Sequence, residues 1–321
     1  MSNTNINSSK LLFWPERMAG DFRPITADVF LNNYCNNRCP YCTYRRWEMD
    51  KGAHAMSYED FVKYASRLMD LGVQGIILTG GGEPTLAPDF AKITHWLDER
   101  GIPYGINTNF NVFKACRPRY LKVSLDGWDE DSYEACRGVR AYQKVRENII
   151  CYDAWRKENS PHTALGVQKV ITNSGDIMKF YNANKDLPFD YMSIRPIEST
   201  NGGFYSSPER MEDAAKSISI IEKLHEHDPR VVRNFKWTML LERFDKCHAH
   251  WAQIAMNENG SIMYCCHKPY HILGHVMDED ILEKHRTAHN DMNLCDVPCR
   301  LTAPNITMKM LNAGTKDPAF I

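Results

Sequence analysis

Residues 25–42 read ITADVFLNNYCNNRCPYC, and this stretch decides how the rest of the chain is read. Residues 25–32 are rich in β-branched and aromatic side chains, which predicts a strand. Cys35, Cys39 and Cys42 follow directly, in C-x3-C-x2-C spacing, on a loop at the strand's end. Three thiolates on one loop suit three irons of a [4Fe–4S] cube with the fourth iron left open. A structural zinc normally takes four protein ligands, so a bare trio fits it poorly.

Working outward, the chain alternates short apolar runs with helical patterns. Ser57 is a helix cap with Asp60 three residues on, a variant of the capping box, and the apolar spacing after it ends at Gly72. Residues 73–80, 102–109, 120–127, 165–172 and 191–197 read as further strands, and 88–97 as a helix. About six βα units in succession predict a parallel sheet or partial barrel, an α/β fold. Ser207, Pro208 and Glu209 open another helix, expected to run to about residue 227. Residues 228–246 read as a connector. Residues 247–300 hold five cysteines and little periodicity, which predicts a small domain organised by a metal.

A second motif lies at the end of the second strand, Thr79-Gly80-Gly81-Gly82-Glu83-Pro84. Glycines let a ligand approach the backbone closely, and α/β folds bind ligands at the carboxyl ends of their strands. The cysteine trio, with Tyr41 just before its last member, resembles the cluster loop of the radical S-adenosylmethionine (SAM) enzymes, and the glycine run resembles their GGEP motif. The resemblance covers roughly residues 25–200. It implies a partial (β/α)6 TIM-like barrel and a SAM-binding [4Fe–4S] cluster on Cys35, Cys39 and Cys42. Gly81, Gly82 and Glu83 would hold the SAM amino group. Ser124 and Arg137 would contact SAM, the arginine through its carboxylate, as guanidinium–carboxylate pairing favours. Tyr41 would meet the adenine, and Asn109 and Arg195 sit at strand ends that line such a barrel. Asp126 and Glu198 are candidate bases at strand ends. Arg45 and Arg46 read as a solvated face or an anion contact.

The C-terminal cysteines run C-x12-G-x4-C, from Cys247 through Gly260 to Cys265, and close with Cys295-x3-Cys299. This resembles the SPASM and twitch auxiliary-cluster domains, whose closing pair is usually C-x2-C. The resemblance implies a second [4Fe–4S] cluster on Cys247, Cys265, Cys295 and Cys299, in the shorter, single-cluster form. Zinc held by the same four thiolates is the competing reading. Cys266 is either packed or a hydrogen-atom donor to a substrate radical. Cys116, Cys136 and Cys151 read as buried or half-buried packing residues. His248, His250, His267, His271 and His275 crowd the same region.

Composition bounds the function. Lys and Arg total 39 against 40 Asp and Glu, so no basic excess points to nucleic acid. No apolar run is long enough to span a membrane. The N-terminus lacks a cationic start followed by an apolar core, and the eleven cysteines cannot all pair within the chain; both point to the cytoplasm. The resemblance implies a one-electron reductant such as flavodoxin or ferredoxin. It implies SAM cleavage to a 5′-deoxyadenosyl radical that abstracts a hydrogen atom from substrate. The short N-terminus favours a small polar substrate, an aminocyclitol, sugar or nucleoside, undergoing dehydrogenation or epimerisation. The alternative is maturation of a ribosomally made peptide, with its recognition domain absent or supplied in trans. A metal-stabilised binding protein without SAM chemistry is the third class. The expected organisation is a tail (1–22), the barrel (23–200), a helical connector (201–246), the auxiliary-cluster domain (247–300) and a C-terminal tail (301–321).

Overall fold

The structure, a computed structural model, describes residues 23–42, 44, 52–197, 207–234, 237, 244–290, 295, 301–302 and 305–306. One sheet of ten strands organises them, in the order β10-β9-β8-β1-β2-β3-β4-β5-β6-β7. Strands β1 (Thr26–Phe30), β2 (Gly75–Thr79), β3 (Tyr104–Thr108), β4 (Tyr120–Ser124), β5 (Ala164–Ile171), β6 (Tyr191–Pro196) and β7 (Val231–Val232) run parallel in sequence order. The first six are the strands read from the sequence, each within a few residues of its expected bounds.

Helices α1 (Tyr58–Asp70), α2 (Phe90–Glu99), α3 (Glu130–Arg137), α4 (Tyr142–Asn159), α5 (Gly175–Asn184) and α6 (Pro208–His227) fill the crossovers. Helix α1 starts where its cap predicts: the Ser57 hydroxyl accepts from the Asp60 amide at 3.1 Å. Asp60 does not complete the box; its carboxylate accepts a hydrogen bond from the Ser57 hydroxyl at 2.8 Å. Phe61, Ala65 and Leu68 face the sheet, and Phe61 meets Trp96 of α2 edge-on at 5.9 Å. Burying these rings and branched chains, each at roughly 1.5–3 kcal/mol, holds the helical layer to the strands. The helix expected at 88–97 starts at Phe90, after a 3-10 turn at Pro84–Leu86. No helix separates β3 from β4.

Residues 247–290 carry more regular structure than expected. They form β8 (Gln253–Met256), β9 (Ser261–Cys265), β10 (Lys268–His275) and α7 (Ile281–Ala288). Strand β8 pairs in parallel with β1, Thr26 opposite Gln253, so this segment extends the barrel sheet rather than standing apart. Strands β9 and β10 then fold back as an antiparallel hairpin. Among the described residues, no helix is long and apolar enough to cross a membrane.

Candidate functional site

The carboxyl ends of β1 to β4 open onto one cavity of about 410 Å³. Its wall includes Cys35, Cys39 and Cys42 from the loop after β1, and Gly80, Gly81, Gly82 and Glu83 after β2. Asn107 from β3, Asn109 just after it, Ser124 from β4 and Arg137 from the end of α3 are also on it. Most of the residues singled out in the N-terminal half thus converge. Tyr41, Arg195 and Cys266 are not on this wall.

The cysteine loop is held from two sides. The Gly82 amide donates to the Asn32 carbonyl and the Glu83 amide to the Tyr34 carbonyl, both at 2.9 Å. A Cβ on Gly82 would collide with the Tyr34 carbonyl and the Asn32 amide group, so only glycine lets the two segments pack. On the other side, the Asn109 amide donates to Asn36 Oδ1 at 2.7 Å and lies 3.6 Å from Cys35 Sγ. Asn111 donates to Asn37 Oδ1 at 2.6 Å and accepts from the Tyr133 hydroxyl at 3.0 Å. Cys35 is exposed, and Cys39 and Cys42 are half-buried.

Glu83 lines the cavity, and its carboxylate is held by neighbours in the wall. It is 3% exposed, and its Oε1 accepts from the Thr85 amide, the Thr85 hydroxyl and the Thr108 hydroxyl at 3.2, 2.7 and 2.5 Å. Its Oε2 accepts from the Asn109 amide at 2.7 Å. Burial pushes its pKa up, and these donors oppose that. The carboxylate ties the ends of β2 and β3 together and sets the Asn109 backbone.

Asp126 departs from its expected place as a base. It is fully buried with φ 51°, and its carboxylate pairs with Arg137 and accepts from the Val170 amide. Its carbonyl accepts from Lys169 Nζ at 2.5 Å. A non-glycine residue in the left-handed region costs about 1–2 kcal/mol, and here three partners hold it. Phe110, after β3, shares the conformation with φ 58°. The result of the Asp126 brace is an aimed arginine: Arg137 Nη1 lies 3.4 Å from Cys39 Sγ, and its carbonyl accepts from the Arg38 amide at 2.7 Å.

The Tyr41 hydroxyl is buried with no hydrogen-bond partner. Desolvation pushes its pKa up, and the nearby charges of Arg137 and Arg195 pull the other way. Arg195 Nη1 reaches the Pro196 carbonyl at 3.4 Å. Cys116 is buried and Cys136 half-buried, as expected, whereas Cys151 is exposed.

In the C-terminal segment, Cys247 and Cys265 are buried and Cys295 is half-buried. The Tyr264 hydroxyl lies 3.8 Å from Cys295 Sγ; burial and the thiols of Cys295, Cys247 and Cys265 push its pKa up. Cys295 thus lies beside the hydroxyl, and Cys247 and Cys265 lie near enough to act on it electrostatically. Cys299, the fourth expected ligand, lies outside the described residues, as do Glu198, Arg45 and Arg46. Cys266 is 3% exposed and packs with Phe30, Ala255 and Met263. Its carbonyl accepts from the Tyr44 hydroxyl at 2.5 Å, which ties the cysteine loop to the hairpin. Sequence reasoning missed Asn36, Asn37, Asn111 and Tyr44; the asparagines flanking Cys35 and Asn109 were the available signal.

The chemistry of the donor set fits an iron–sulfur cluster and an amino-acid ligand. Thiols stand on one side of the cavity, glycine backbone on another, and an arginine aimed between them on a third. Comparison with known proteins agrees. Residues 29–152 match the Radical SAM superfamily. The 7,8-didemethyl-8-hydroxy-5-deazariboflavin synthase of Methanopyrus kandleri is 22% identical over 65% of this chain and 60% of its own. The probable GTP 3',8-cyclase of Saccharolobus solfataricus is 28% identical over 38% of this chain and 41% of its own. The chain thus spans between about a third and three fifths of the curated relatives it matches. Among solved structures, Streptococcus suis SuiB bound to the precursor peptide SuiA superposes at TM-score 0.63 and 16% identity, over 87% of this chain and 68% of that one. Native anSMEcpe with bound AdoMet gives TM-score 0.62 at 17% identity, over 83% of each chain. Residues 29–152 are therefore a radical SAM superfamily domain, set in a fold shared with SuiB and anSMEcpe.

Proposed function

We propose that this chain is a radical SAM enzyme in which Cys35, Cys39 and Cys42 hold a [4Fe–4S] cluster. The observation that carries the reading is the single cavity walled by these thiols, the glycines 80–82, Asn109, Ser124 and Arg137. A cluster and SAM bound there supply one electron to the sulfonium and, from its cleavage, a radical able to take a hydrogen atom from substrate. The chain's own residues do the rest. Arg137, fixed by Asp126, presents its guanidinium to the methionine carboxylate. The glycines 80–82 let backbone carbonyls approach the methionine amine. Asn109 and Asn111 hold the cysteine loop in register.

Cys247, Cys265, Cys295 and Cys299 are the proposed ligands of a second [4Fe–4S] cluster; the contact of Cys295 with the Tyr264 hydroxyl, which Cys247 and Cys265 also influence electrostatically, supports this. The proposed units are the barrel over 23–200 and the auxiliary segment over 247–300, sharing one sheet. The substrate we favour is a small polar molecule that is dehydrogenated or epimerised by a cytoplasmic enzyme fed by flavodoxin or ferredoxin. The peptide-maturase reading has its own support: SuiB, of like fold, is bound to a precursor peptide.

The test is SAM cleavage. The anaerobically reconstituted, reduced protein should release 5′-deoxyadenosine and methionine, and the Cys35/Cys39/Cys42→Ala variant should release neither. Absence of cleavage by reduced wild type, or equal cleavage by the variant, overturns the proposal.

A further inference from the structure

Three buried histidines behind β9 are not used by the reaction. His250 lies in the 3-10 turn His248–Ala252, His285 in α7, and His289 one turn further on. They are 3%, 3% and 0% exposed. One nitrogen from each lies within 4.8 Å of the others. Nε2 of His250 and Nε2 of His285 are buried without a hydrogen-bond partner. Each such stranded group costs about 1–3 kcal/mol.

His289 has the opposite problem. Its Nδ1 lies 2.6 Å from the His285 carbonyl and its Nε2 2.7 Å from the Tyr264 carbonyl. A neutral imidazole carries one N–H, so one nitrogen turns a lone pair toward a carbonyl oxygen. All three rings therefore have a nitrogen that lacks an electrophile.

We infer that His250, His285 and His289 form a binding site for a divalent transition ion of zinc type, separate from the cysteine sites. Imidazole nitrogens suit zinc, and His285 and His289, four residues apart at the end of one helix, share a face. Tetrahedral bonds of about 2.0–2.1 Å place ligand nitrogens about 3.3 Å apart and ring centroids about 5.2 Å apart. The His250–His289 and His285–His289 centroids are each 4.8 Å apart. Both ring spacings are thus close to those of a site. The His250 and His289 planes lie within 13° of each other, so binding requires one ring to turn about its Cβ–Cγ bond. His250 Nε2 has no partner, and the turn breaks only a 3.4 Å contact of its Nδ1 with the Gln253 carbonyl. A water or another small donor takes the fourth position. The ion would staple α7 to the 3-10 turn, where, among the described residues, the local apolar cluster has Ile25, Cys247, Ala249 and Ala252 as its buried members.

The test uses the full chain with its iron sites reconstituted, dialysed against a weak chelator. Plasma mass spectrometry should find one zinc per chain besides the iron. His250→Gln and His285→Gln should each weaken zinc at least tenfold while iron and sulfide stay constant. Because those variants remove buried rings, cobalt substitution of the wild type gives an independent answer. Tetrahedral visible bands without a thiolate charge-transfer band support the histidine site. A wild type that takes up neither zinc nor cobalt, or a cobalt spectrum with thiolate charge transfer, overturns it.

Discussion

Removing the Glu83 carboxylate tests the idea that one buried side chain couples the strand ends to the cysteine loop. In Glu83→Ala, the two hydroxyl donors, Thr85 and Thr108, are free to rotate toward other acceptors. The two backbone amides, of Thr85 and Asn109, are fixed, and both are left facing a void. At about 1–3 kcal/mol for each stranded buried group, the expected loss is about 2–6 kcal/mol. Glu83→Gln keeps an acceptor at Oε1 but sets an NH2 against the Asn109 amide, which costs about 1–3 kcal/mol. The assay is urea unfolding by circular dichroism, with Glu226→Ala, at an exposed position of α6, as the control. Since the Asn109 side chain reaches Asn36 and Cys35, Glu83→Ala should also lower iron uptake. A change in stability below about 0.5 kcal/mol, the level of ordinary surface substitutions, would refute the coupling.

Three further outcomes follow from the same geometry. Gly82→Ala, which drives a methyl into the Tyr34 carbonyl, should cost about 1–3 kcal/mol and reduce iron bound on reconstitution; unchanged iron would count against the packing argument. Arg137→Met strands the buried Asp126 carboxylate and should destabilise by about 3–5 kcal/mol, with partial recovery in the Asp126→Asn/Arg137→Met double variant; strictly additive effects would deny the pairing. Burial holds the Lys169 pKa below its ordinary 10.5, so the folded chain binds fewer protons there than the unfolded chain. Stability relative to Lys169→Met should therefore rise as pH climbs from the depressed pKa toward 10.5, read by denaturation at several pH values; a flat difference would mean that the amine is not desolvated.

Features written in local chemistry were legible in the sequence. Ser57, Ser207 and Pro208 mark helix starts that the structure keeps, and the β-branched runs fall on strands β1 to β6. The cysteine trio and the glycine run were legible because their spacing is itself the signal, and the sheet brings both to one cavity. What failed to show depends on distance along the chain. The pairing of Thr26 with Gln253 has no local cue, so the C-terminal segment read as a separate domain. Asp126 read as a group facing a ligand because its motif lies beside one. Its partner at Val170 turns it inward, and only folding reveals that partner and those of Glu83 at Thr108 and Asn109. His285 and His289 escaped attention because isolated histidines on a polar helix carry no pattern until His250 is placed against them.

The most direct measurement of the central claim is iron and sulfide content after anaerobic reconstitution, on wild type and on Cys35/Cys39/Cys42→Ala. The account predicts about eight irons falling to about four, one [4Fe–4S] cluster lost with the N-terminal trio. Iron content unchanged by the triple substitution would contradict it.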